Sequence, residues 1–384
     1  MKTRMKVGLN YPWANYGWDF GEGPWGMRRA WEATLVDELK SLKKLGVHAI
    51  RWFVLGDGLT YGTRAQAPTE DKNRTWHGQA QWRFNPPQGD GVRALLEDFR
   101  ALLECFRRAN DDGGPALQLM PAVLDFHMFF PGNFETGPFK KAGATGDPPP
   151  AGFVKNGRMD MVVDRSKSTL YLEHLLRPLV ATMAEAPYRP LVHSVDVFNE
   201  PEWCTDDGRS DVRRTIPLAR MREFLRECAD VVRPHFRPTV GFAEHDTLAK
   251  WNVADLGLGL WQYHYYSKPE EIEEHHFPVP TVVGEFASTT GIPKDAPATR
   301  PLLQWNPISG DRSWPELGGP WGDQRVGARL GLLDKKGYPE CFVWSVHASD
   351  QATRWDDEVR GDIARFIAGK GLTTGAGTRR PSDP

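Results

Sequence analysis

Two glutamates stand where apolar, strand-like runs end. Glu200 closes VDVFNE, just before Pro201, and Glu285 sits near the end of PTVVGEFA. Val and Phe suit a pleated, half-buried surface, whereas Asn, Glu and Pro do not. Pro201 lacks an amide hydrogen and disfavours the helical region for Glu200, so a strand ends there and a loop begins. Each carboxylate alone reads equally well as a polar strand exit. As a pair they match the needs of glycosidic bond cleavage, in which one carboxyl protonates the leaving oxygen and the other attacks or activates water. Separations of about 5–5.5 Å accompany retention of configuration and about 6.5–9.5 Å inversion.

Other polar residues mark the ends of similar runs. Arg51 interrupts AIRWFV, Asp125 and His127 end LQLMPAVLDFH, and His264 and Tyr266 end LGLWQYHYY. Trp344 lies in ECFVWSVH. Arg and Tyr beside a carboxylate favour its ionised form, which a nucleophile needs. Arg51 reads equally as a buried ion-pair partner, and His127 and His264 as rim histidines. The tract Glu273-Glu274-His275-His276 reads as a solvated helix end before a metal cluster.

Positioning these groups at one place requires a particular set of elements. Eight short runs rich in Val, Ile, Phe or Tyr recur along the chain: Met5–Tyr11, Val47–Leu55, Leu117–His127, His193–Glu200, Pro238–Glu244, Leu258–Tyr266, Pro280–Ala287 and Glu340–His347. Between them lie amphipathic patterns that predict helices over Trp31–Leu45, Val92–Arg108, Thr169–Ala184, Leu218–Val232, Pro269–His275, Gln324–Leu333 and Glu358–Ala368. Around His245–Trp251 the pattern supports only a turn. Strand–helix alternation implies a parallel sheet, and eight repeats without a composition break favour a closed (β/α)8 TIM barrel of the α/β class. An open doubly wound sheet would announce itself by a Gly-rich phosphate turn after the first strand. The segment there, YPWANYGWDFGEGPWG, contains none. One catalytic barrel over residues 1–368 is expected, with 369–384 a flexible tail.

The segments that follow the first, second, third and seventh runs are long, and those that follow helices are short. In a barrel this places long βα loops on the face that bears the strands' C-terminal ends, where barrel active sites sit. Trp13, Trp18, Trp25, Trp76, Trp82, Trp305, Trp314 and Trp321 belong to those loops. Aromatic faces in loops suit the C–H faces of sugars. Trp13, and Trp203 just past Pro201, are candidates to line the cleft.

The 384 residues carry a formal net charge of -2, with no basic tail, so nucleic acid is not an expected partner. No run is long enough to span a bilayer. The start MKTRMKVGLNYPW lacks an apolar segment of signal-peptide length, so a cytoplasmic location is expected unless a signal precedes this numbering. Cys105, Cys204, Cys228 and Cys341 form no CxxC pair and predict neither a disulfide framework nor a zinc site. No cofactor and no metal is implied.

The ordered set resembles the clan A glycoside hydrolases, particularly family 5, the cellulase and mannanase type. The residues that carry the resemblance are Arg51, Asp125-Phe126-His127, Asn199-Glu200-Pro201, His264-Tyr265-Tyr266, Glu285 in Gly-Glu-Phe, and Trp344. The resemblance implies a retaining β-glycosidase acting on an oligosaccharide or polysaccharide such as a glucan or mannan, with Glu200 as general acid/base and Glu285 as nucleophile. It further implies that Asn199 contacts the sugar 2-hydroxyl and that Tyr266 or Tyr265 supports Glu285. Arg51 would hold Glu285 ionised, His127 and His264 would line the −1 site, and Trp344 would form its floor. Met128 departs from the pattern, since many relatives carry Gly there. Strict strand alternation would also turn Asn199 away from Glu200, and both reach one site only if a bulge bends the strand end. A transglycosylase on the same barrel and a non-catalytic glycan-binding barrel are the competing readings.

Overall fold

All eight apolar runs become strands, and the strands close on themselves. They are β1 (Lys6–Asn10), β2 (Ala49–Leu55), β3 (Gln118–Leu124), β4 (Val195–Asn199), β5 (Pro238–Phe242), β6 (Trp261–His264), β7 (Thr281–Ala287) and β8 (Glu340–Trp344). Every neighbouring pair is parallel and β1 pairs with β8, which gives a closed eight-stranded barrel. The computed structural model describes residues 5–12, 19–20, 32–55, 69–70, 76–77, 90–129, 159–208, 214–266, 272–287, 326–346 and 355–369. Trp13 and the loop tryptophans Trp18, Trp25, Trp82, Trp305, Trp314 and Trp321 lie outside the described residues, as does the expected tail beyond Gly369.

Among the described residues the longer helices that wrap the barrel are α1 (Glu32–Leu45), α2 (Asp90–Ala109), α3 (Arg165–Tyr171 and Arg177–Ala184, joined through the π-helical turn Leu172–Leu176), α4 (Leu218–Val232), α5 (Val326–Lys335) and α6 (Asp357–Ile367). Their apolar stripes are the ones that the spacing predicts. In α1, Leu35, Leu39 and Leu42 are buried, and Gly46 stops the helix at φ 95°. In α6 the Asp356 side chain accepts from the Glu358 and Val359 amides, a local start signal for the helix.

One predicted helix is not helical where it is described. Of Pro269–His275, the described residues from Ile272 onward are irregular. The His275 amide donates to the Lys336 carbonyl at 2.8 Å, so the segment lies against the turn after α5 and does not close its own ladder. After β5 there is a single helical turn, Thr247–Lys250, followed by a 3-10 turn, Val253–Leu256.

Strand alternation divides the barrel interior into levels. At the end where the strands begin, His48 and His193 both meet Glu340 through their Nε2 atoms, the latter at 3.1 Å. Burial opposes a charge on Glu340, yet the hydrogen bonds from His193 and His48 hold its carboxyl far below the usual carboxylate range. Above them Ala49, Met120, Leu260, Val282 and Phe342 form a small apolar cluster separate from the main core. Gly8 leaves room for it, since a Cβ there would stand 2.4 Å from the Phe342 ring. The next level is polar. The main core lies outside the barrel wall, between strands and helices, and includes the buried Cys105, Cys204, Cys228 and Cys341.

Candidate active site

Arg51 on β2 organises the polar level. It is fully buried, and all five of its guanidinium N–H groups have acceptors. Nε and Nη2 donate to Asp196 Oδ2 at 3.0 and 2.7 Å, and Nη2 also donates to Asn199 Oδ1 at 2.6 Å. Nη1 donates to Asn10 Oδ1 at 3.0 Å and to Glu285 Oε1 at 2.5 Å. Burial opposes its charge, but Asp196 and Glu285 outweigh that and raise its pKa. Arg51 is thus both the ion-pair partner of Asp196 and the cation beside Glu285.

Bulges bring the remaining groups to this point. Along β4 the register moves from Asp196 opposite Thr239 to Asn199 opposite Gly241, one residue more on β4 than on β5. The extra residue lets Asp196 and Asn199 both face inward, while Phe198 between them packs on Phe129 outside. Glu200 then turns into the left-handed region, φ 50° and ψ 51°, which aims it at the same centre as Asn199. Along β7 the register shifts between Val283 and Phe286 in the same way, around Glu285.

Glu200 and Glu285 meet across His264. Glu200 Oε1 shares a 2.6 Å hydrogen bond with His264 Nδ1, and Glu200 Oε2 accepts from Trp203 Nε1 at 3.0 Å. Glu285 Oε2 accepts from the Tyr266 hydroxyl at 2.9 Å and lies 3.5 Å from His264 Nδ1. One oxygen of each carboxylate and a ring nitrogen of His264 all lie within 4.8 Å of one another. Burial pushes the His264 imidazole down to about 4, so the ring is neutral near pH 7. Burial raises the Glu285 carboxyl, against the pull of His264 and Arg51 and with some help from Glu200.

The other anticipated residues divide into two groups. Asp125 accepts from Asn199 Nδ2 at 2.7 Å, so it orients Asn199, whose amide keeps a second hydrogen for another partner. Trp344 is half-buried at the end of β8, its ring edge-on to Phe53. Of the two tyrosines, Tyr266 reaches the Glu285 carboxylate. The Tyr265 ring belongs to the main core, beside Tyr263, and its backbone amide donates to the Glu285 carbonyl at 2.7 Å. His127 lies in a 3-10 turn, Phe126–Phe129, directly past β3.

Three residues of the polar level escape a reading of strand ends: Asn10, Asp196 and Gln262. Gln262 Nε2 donates to Asp196 Oδ2 at 3.0 Å, and Asn10 Nδ2 donates to the Gly284 carbonyl at 2.9 Å. The available signal was a polar residue inside an apolar strand run, as in HSVDVFN and LWQYH. Gly241 completes the level by having no side chain. A Cβ there would stand 2.6 Å from Gln262 Nε2, 2.9 Å from His264 Nε2 and 3.0 Å from Arg51 Nη2. The groups Glu200, His264 and Glu285, and separately His48, His193 and Glu340, offer donor atoms close enough to hold a cation. In the first group, Arg51 already supplies positive charge to Glu285.

No family model and no curated protein matches the chain. Solved structures do. The chain is similar to the β-mannanase of the blue mussel Mytilus edulis, with TM-score 0.58 and 16% identity over 97% of this chain and 93% of that one. It is similar to the β-1,4-D-mannanase of Cryptopygus antarcticus, with TM-score 0.58 and 16% identity over 96% and 91%. A third likeness is to the endo-1,4-β-mannanase of Eisenia fetida, with TM-score 0.57 and 16% identity over 95% and 90%. At these identities the likeness establishes the fold, a (β/α)8 barrel that spans nearly the full length of each chain.

Proposed function

We propose that this chain is a retaining β-glycoside hydrolase of clan A, and that a β-1,4-linked, mannose-containing glycan is its substrate. The observation that carries the reading is the carboxylate pair: oxygens of Glu200 and Glu285 within 4.8 Å, at one rim of the barrel. So close an approach of the two groups supports the short separation of double displacement over the separation of about 6.5–9.5 Å that leaves room for a water. The mannanase structures to which the barrel is similar favour the substrate class.

In this mechanism Glu285 attacks the anomeric carbon while protonated Glu200 gives its proton to the departing oxygen. Water activated by Glu200 then releases the glycosyl-enzyme. Arg51 and Tyr266 hold one oxygen each of the nucleophile, which fixes its attack direction and favours the charged form. The spare amide hydrogen of Asn199 is available to the 2-hydroxyl of the sugar. Trp203 holds Oε2 of the acid/base, and neutral His264 holds its Oε1.

Azide rescue tests the assignment. Glu285→Gly and Glu200→Ala should each lose activity on mannan and mannooligosaccharides. Added azide should then yield a glycosyl azide of inverted configuration from the first variant and of retained configuration from the second. Wild-type turnover in either variant would end the assignment, and wild-type cleavage of glucans alone would end the substrate choice.

A further inference from the structure

Two residues past Glu200, a second carboxyl is buried where the proposed chemistry has no use for it. Glu202 lies in the 3-10 turn Pro201–Cys204 and is 1% exposed. Its Oε1 accepts from the Ala243 amide at 2.7 Å, just past the end of β5. Among the described residues its Oε2 is buried without a hydrogen bond of ordinary geometry, and the Thr247 hydroxyl is the side-chain donor near the carboxyl. Among the described residues no ammonium, guanidinium or imidazole bonds either carboxyl oxygen.

The contacts around Glu202 converge on Glu200. The Glu200 amide donates to the Gly241 carbonyl at 2.6 Å, so Glu200 and Glu202 together fasten the turn to β5 at two points. The Glu202 carbonyl accepts from Arg214 Nη1 at 2.7 Å, and the same guanidinium lies over the Trp203 ring, 5.3 Å from its centroid. Trp203 in turn holds Glu200 Oε2. Glu200 occupies a left-handed conformation that non-glycine residues hold only when their surroundings enforce it.

We propose that Glu202 is a positioning residue for Glu200, acting as a neutral carboxylic acid whose ionisation releases the turn and disables the acid/base at alkaline pH. This rests on the glycosidase reading above. A buried carboxylate served by uncharged donors and no cation is costly, whereas the neutral acid is tolerated. The titratable groups that face it are Glu200 and the Cys204 thiol on its own turn, with Asp125 beyond Cys204 at the end of β3. Arg214 meets its carbonyl, and Ala243 and Thr247 present only uncharged groups. Burial pushes the carboxyl up to about 8, and the nearby Glu200 adds to that rise. A charge formed there repels ionised Glu200 and draws water toward the turn.

The test pairs an activity profile with a stability profile for wild type, E202Q and E202A. Gln keeps the shape and the Ala243 contact but cannot ionise. For wild type, the native state keeps a proton that the unfolded chain releases. The Tm of E202Q should therefore gain on that of wild type from pH 4.5 to about 8 and then run parallel. On mannooligosaccharide, E202A should lose about tenfold to a hundredfold in kcat with little change in KM. E202Q should restore most of that loss and move the alkaline limb upward by about one unit. An E202Q pH–kcat profile that superimposes on wild type would overturn the proposal, even if E202A fails to fold. If wild type cleaves no glycan, the glycosidase reading falls by itself. The Tm arm still decides the buried proton, since parallel curves from pH 4.5 upward overturn it and a widening gap upholds it.

Discussion

At the scale of single residues, Arg51 carries the most consequence. Its five donors serve four side chains, and two of those carry negative charge. Arg51→Lys keeps the charge but not the planar fork, so Glu285 and Asn199 lose their fixed directions. The expected result is a fall in kcat of about a hundredfold, read by steady-state kinetics, with the fold retained. Arg51→Met leaves Asp196 and Glu285 buried without their cation, which is expected to cost about 3–5 kcal/mol in urea unfolding. The chemical residues were legible because they break strand composition at strand ends, as Glu200, His264 and Glu285 do. Asp196 was not, because it lies within a strand and looks like an isolated polar residue until the bulge on β4 puts it on the same face as Asn199. Glu202 was hidden for another reason: nothing in PEW reveals that its carboxyl is enclosed.

At the scale of elements, the strands announced themselves through β-branched and aromatic runs, and the helices through stripes of Leu and Phe. The departure from a helix over residues 272–275 has a physical cause: so short a pattern can spend its amides elsewhere, and His275 spends its own on Lys336. Register shifts are likewise invisible in a sequence, because they depend on which neighbour each residue faces. Gly241 on β5 illustrates this. It looks like an ordinary strand glycine, yet three polar side chains occupy the place its Cβ would take. Gly241→Ala should destabilise the barrel by about 1–3 kcal/mol in thermal or urea unfolding. It should also lower activity more than that loss explains, since Arg51 and His264 must both move. Leu39→Ala in α1 is the contrasting case. Its side chain is fully buried between helix and barrel, and its loss should cost about 2–5 kcal/mol while kcat stays unchanged.

At the scale of the whole molecule, both ends of the barrel make stability depend on acidity. His264 has a folded pKa of about 4 against an ordinary value of 6.5, so the unfolded chain binds the extra proton. Its contribution is complete above pH 6.5 and is lost as the pH falls toward 4. Glu340 at the opposite end is depressed below 4.5, so its contribution is complete above that value and is lost in stronger acid. Glu340→Gln should therefore lower stability near pH 7 by about 3 kcal/mol and flatten the decline below pH 4.5, as measured by Tm against pH. The unequal regularity of the strand ladders has a further consequence, on the timescale of amide hydrogen exchange. β2 and β3 pair without interruption from Ala49 opposite Gln118 to Leu55 opposite Leu124, whereas the arc from β4 to β8 carries three register shifts. Deuterium should enter that arc first and the β2–β3 ladder last. The carboxylates sit on the wall that carries the register shifts, and a bound glycan should leave its protection footprint there.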